Sequence, residues 1–115
     1  MSYKRTLRGV NYLIVNELDT AREYYGDTFA SMHEGESVLK EEIEEAVDEF
    51  EAIGRNYARL WECVKEDDAK AARLHAEDMA ADAERLACEA IQIAAMALKF
   101  ADTVEGMEAN DDRQQ

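Results

Sequence analysis

The chain has 115 residues, 35% of them charged, with 27 acids against 13 Lys plus Arg, a formal net charge of −14. This balance excludes sequence-independent binding to DNA or RNA, which needs a basic surface, and disfavours acidic membranes. Hydrophobic residues make up 47% and proline is absent, so one all-α globular domain is expected rather than a disordered chain or a turn-rich sandwich.

Residues 1–9 carry Lys4, Arg5 and Arg8 and are expected to form a loose basic arm. The single helical domain is expected over 10–105. Its first helix is expected over Val10–Phe29, where Leu13, Ile14, Leu18, Ala21, Tyr25 and Phe29 recur at three- and four-residue steps. Thr20 and Glu23 have the spacing of a capping box, which would start the helix later. Ser31 and Glu34 form a second such box, and Gly35 is expected to mark a bend.

The second helix is expected through Leu39, Ile43, Val47, Phe50, Ile53, Tyr57, Trp61 and Val64, with Gly54 inside it at a cost of about 1 kcal/mol relative to alanine. Asp67 or Asp68 is expected to cap the third helix, which is alanine-rich and should fray near Glu105-Gly106. The tail, 106–115, is expected to be polar and disordered. At about 1.5 Å per residue the two long helices each span roughly 45–50 Å. They are expected to form an antiparallel hairpin. A short first helix cannot cover both apolar faces, so a second chain should complete the bundle as a homo-oligomer, dimer or tetramer. Cys63 and Cys88 lack metal or redox spacing and are expected in the core of a cytoplasmic protein. No signal peptide or membrane span is expected.

From Glu34 to Glu51 there are nine acids and one lysine. Glu42, Glu45 and Glu49 stack on one helix face, and Glu41, Glu44 and Asp48 form the neighbouring row. Like charges stacked this way repel, so either the face is simply solvated or something positive binds there. The third helix bears on the choice. Cys88–Leu98 is apolar almost all round, which predicts burial, yet Glu89 and Gln92 sit inside it. A buried carboxylate needs a partner or must be neutral. Glu89 is therefore protonated, paired with Arg85 at i−4, or bound to a divalent metal shared with Glu42 and Glu45. Oxygen-only ligands favour Mg²⁺, with Mn²⁺ as the alternative.

Glu42-x-x-Glu45 on one helix and Glu89-x-x-Gln92 on the next resemble the E-x-x-E and E-x-x-D motifs of the all-α nucleoside triphosphate pyrophosphatases, the MazG-like group. The surroundings, including His33-Glu34-Gly35, look like the small phage- and prophage-encoded branch. The similarity covers roughly 29–101. The resemblance implies that Glu42, Glu45, Glu89 and, more weakly, Gln92 hold Mg²⁺. It also implies cleavage of a nucleoside triphosphate to monophosphate and pyrophosphate. Gln92 stands where the family has aspartate, and the gap between the motifs is long. Glu49 or Asp48 is a candidate to orient the attacking water. Lys99 is a candidate phosphate contact or a lysine snorkelling from a helix end. His33 is a candidate substrate contact or cap. Tyr24, Tyr25, Phe29, Tyr57 and Trp61 are core residues or base-stacking candidates, and His75 is expected at the surface. The competing expectation is a helical scaffold of the same fold that has lost part of the site.

Overall fold

The computed structural model describes residues 3–114. It is all-α, with three helices and no strand among the described residues: α1 (Tyr3–Tyr25), α2 (Met32–Lys65) and α3 (Ala69–Gln114). Two boundaries differ from expectation. α1 begins at Tyr3, so Lys4, Arg5 and Arg8 lie in its first turns rather than in a loose arm. α3 passes Gly106 without a break and reaches Gln114, because nothing in that stretch supplies a stop signal stronger than one glycine. The expectation for Gln115 lies outside the described residues.

The ends of the helices follow local chemistry. α1 stops where Gly26 adopts φ +90° and donates its N–H to the Arg22 carbonyl at 2.9 Å, a left-handed cap. Phe29 therefore lies beyond the helix. Thr20 is no cap: it sits inside α1 and its hydroxyl donates to the Asn16 carbonyl at 2.9 Å. Ser31 does cap α2, its hydroxyl accepting the Glu34 N–H at 3.1 Å.

Between α2 and α3, Asp67 takes a left-handed φ of 55°. Asp68 and Asp67 donate their N–H groups to the carbonyls of Cys63 and Val64 at 2.9 and 3.2 Å, the paired bonds that close a helix C-terminus. Asp68 then starts the next helix, its carboxylate accepting the Ala71 N–H at 3.1 Å.

Contact density divides the chain into two units. One comprises the described residues up to Glu42 together with those from Ile91 onward; the other is Ile43–Ala90. The first holds nearly all of the buried residues: Leu18, Ala21, Phe29, Ala95, Lys99 and Thr103. Gly35 is a packing glycine within α2, not a bend. A Cβ there would lie 2.5 Å from the Phe100 ring and 2.8 Å from the Phe29 ring. Thr103 fixes the segment before α2, accepting the Phe29 N–H at 2.9 Å while donating to the Lys99 carbonyl at 2.8 Å. Arg22 pairs with Asp102.

In the Ile43–Ala90 unit, Asp82 is the buried polar residue. Its carboxylate accepts a hydrogen bond from Asn56 at 2.7 Å and pairs with Arg85. Arg85 also donates from Nε to Glu49 at 3.2 Å. That bond to Glu49 raises the Arg85 pKa above its ordinary value.

The apolar stripe expected on α2 divides in two. Ala46, Ile53 and Leu60 are half-buried, whereas Ile43, Val47, Phe50, Tyr57, Trp61 and Val64 are exposed. The expected all-round burial of Cys88–Leu98 is not found. Ala95 is buried, the 91–94 stretch is half-buried, and Cys88, Ala90, Ala97 and Leu98 are exposed. Within a single chain the partner helix covers only part of the circumference. Cys88 is thus not a core residue, and Cys63 is only half-buried. His75 is half-buried rather than at the surface, with Nδ1 buried and lacking a hydrogen-bond partner.

Candidate metal centre and cavity

Helical spacing alone brings the first two acids together. Glu42 and Glu45 stand one turn apart on α2, with carboxylate oxygens within 4.8 Å. Within the Ile43–Ala90 unit the same limit holds between Glu45 and Glu89. Glu42 and Glu89 are half-buried and Glu45 is exposed. Each offers an oxygen ligand, the donor type that hard divalent cations take. Carboxylates this close repel unless a proton or a cation intervenes.

Arg85, the sequence candidate for pairing with Glu89, has its guanidinium in contact with Asp82 and Glu49. Glu49 lies one turn beyond Glu45, half-buried and held by this arginine. Asp48 is exposed.

The other unit contains a cavity of about 460 Å³ lined by Glu17, Glu34, Phe29, Glu42, Gln92 and Lys99, among others. Lys99 is its most unusual member. The residue is only 3% exposed, and its ammonium stands 4.6 Å from the centroid of the Phe29 ring, a cation–π contact. The snorkelling alternative does not hold, since α3 continues well past this lysine and its side chain stays inside. Gln92 and Glu42 line the same cavity, so the amide and the first glutamate of the two motifs are close. Tyr25 also contributes to the wall, although most of its surface is exposed. His33 is exposed in the first turn of α2 and is not among the lining residues. Tyr24, Tyr57 and Trp61 are exposed and do not line it either.

Four participants were not foreseen. Glu17 and Glu34 in the cavity wall look in sequence like ordinary surface acids. Asn56 and Asp82 are polar residues at positions that repeat in step with the half-buried row of α2 and its counterpart on α3. A polar residue in phase with such a row is the signal that would have found them. No helix among the described residues is long and apolar enough to cross a membrane. No protein-family model, no curated protein and no solved structure matches the chain.

Proposed function

We propose that the protein is a Mg²⁺-dependent nucleotide pyrophosphohydrolase that cleaves a (d)NTP to the monophosphate and pyrophosphate in the cytoplasm. The observation that carries this reading is the approach of the Glu45 and Glu89 carboxylate oxygens to within 4.8 Å, with Glu42 one helical turn before Glu45. These three residues would hold the ion, with the Gln92 oxygen as a weaker ligand. Mn²⁺ suits the same donors. When bound, such an ion screens phosphate charge and lowers the pKa of a coordinated water.

The remaining roles fall to the chain itself. Lys99 offers a cation shielded from water, where its attraction for a phosphate oxygen is strongest. Phe29 holds that ammonium in place and excludes solvent from one side of it. Glu49 is the better of the two water-orienting candidates. Arg85 anchors it, whereas Asp48 is exposed.

A second reading is a catalytically degenerate scaffold. Gln92 favours it, because a neutral amide in place of an acid removes one negative charge from the ligand set. A turnover panel separates the two. The protein is incubated with Mg²⁺ or Mn²⁺ and each common NTP and dNTP, with Glu42→Gln in parallel, and the products are resolved. Monophosphate plus pyrophosphate, lost in the variant, supports the enzyme. No release with either metal across the panel favours the scaffold.

A further inference from the structure

The Ile43–Ala90 unit leaves one side uncovered. On its α2 segment, Ile43, Val47, Phe50, Tyr57, Trp61 and Val64 are each 48–65% exposed. Their steps are four, three, seven, four and three residues. Gly54 occupies the position that splits the seven into four and three. The row is thus an unbroken three–four repeat over three heptads, the spacing of a coiled-coil seam. It lies one residue past the half-buried row that includes Ala46, Ile53, Asn56 and Leu60.

The α3 segment shows the same offset. Ala76, Ala80, Ala83, Ala87 and Ala90 repeat at three and four residues, and all are exposed. Each lies one residue past the half-buried or buried His75, Met79, Asp82, Leu86 and Glu89. The pairs Asn56–Asp82 and Glu49–Arg85 fold the two segments back along each other. In helices running oppositely, one residue's advance turns both rows to the same side. The large apolar row and the alanine row therefore form one continuous face without a charged residue.

We propose that this face is covered by a second copy of the chain, with the two α2 helices antiparallel and crossing at Gly54. Three observations select that occupant and that direction. The first is charge. Glu44, Asp48 and Glu51 accompany the first half of the seam, and Arg55 and Lys65 the second, Lys65 also pairing with Glu62 one turn before it. A parallel copy sets acids beside acids in a chain of net charge −14, while an antiparallel copy sets them beside the half that carries Arg55 and Lys65.

The second is Gly54. It lies at the midpoint of the seam, and a Cβ there would meet nothing within 4 Å. The chain itself gives no packing reason for a residue that lowers helix propensity by about 1 kcal/mol. A two-fold crossing, where two backbones approach, does. The third is area. The face is about 33 Å long and roughly 20 Å wide, so two copies bury on the order of 1,300 Å², within the range of stable interfaces.

The association does not depend on the hydrolase reading. Sedimentation of the full chain should give a dimer at micromolar concentration, and a monomer overturns the proposal. Phe50→Asp and Trp61→Asp should each yield monomers with undiminished far-UV helicity. A dimer that survives both overturns the choice of face.

Direction is read by disulfide trapping in a Cys63→Ser, Cys88→Ser background. Gly54→Cys should cross-link to itself, and Ile43→Cys should cross-link to Val64→Cys in mixed samples. Self-cross-linking of Val64→Cys alone, or failure of both expected links in a dimer, overturns the antiparallel crossing.

Discussion

Two glycines on the same helix sit in opposite surroundings. Gly35 is buried against Phe29 and Phe100, with no room for a Cβ. Gly54, in the other unit, faces open space. Both are helical and neither has a positive φ, so backbone freedom explains neither. What differs is the neighbourhood. The first unit has gathered aromatic rings, a threonine bridge and a buried lysine around its glycine. The second has covered one row of its α2 segment and left the adjacent row to solvent. A glycine within a helix can therefore mark contact already made or contact still to be made.

The largest expected effects lie at the crowded glycine. Phe29→Ala should destabilise by about 3–4 kcal/mol, since a buried aromatic is removed and Lys99 loses the ring it stands against. Gly35→Val should cost about 3 kcal/mol through overpacking. Chemical denaturation checks both. A near-neutral Gly35→Val would break the contrast with Gly54.

In the other unit, Asp82→Ala should cost roughly 2 kcal/mol, because Asn56 and Arg85 lose their common acceptor. The acidic cluster should behave in the reverse sense. Glu45→Gln should leave the melting temperature unchanged or raised without metal, as repulsion is relieved. The same variant should abolish any rise produced by about 10 mM Mg²⁺, a concentration roughly tenfold above the dissociation constants of weak oxygen-ligand sites. A wild-type melting curve insensitive to Mg²⁺ would count against the metal centre. Gln92→Asp should tighten Mg²⁺ binding if that position supplies a ligand.

The smallest effect concerns Cys63. Partial burial, followed by the nearby charges of Asp68 and Glu66, raises its thiol pKa. A raised pKa leaves less thiolate at any pH below it. Alkylation of Cys63 at pH 8 should thus run slower than that of an unperturbed peptide thiol, and the difference should shrink as pH rises.

Local hydrogen bonding was legible in the sequence. Ser31 and Asp68 each act on backbone N–H groups three residues away, and that geometry is complete within one turn. The pairing of Glu42 with Glu45 was legible for the same reason. Their separation is set by the helix, whatever surrounds it. The stop of α1 at Gly26 and the persistence of α3 beyond Gly106 were not, although both turn on glycine. A glycine ends a helix only when its φ turns positive, and the following chain decides that.

Burial needed the tertiary structure. The apolar residues of α2 belong to two rows that differ by one position, about 100° around the helix. Either row could have been covered, and composition does not distinguish them. Lys99 was legible as a cation but not as a buried one. Only the arrival of Phe29 from the segment before α2, held by Thr103, gives its ammonium a place inside. The sequence by itself determined the all-α class, the turn at Asp67-Asp68 and the E-x-x-E face, because those depend on interactions within a few residues. The tertiary structure decided which row is covered, where the lysine lies and which acids Arg85 holds. Those contacts join residues tens of positions apart, and their energies depend on who else is present.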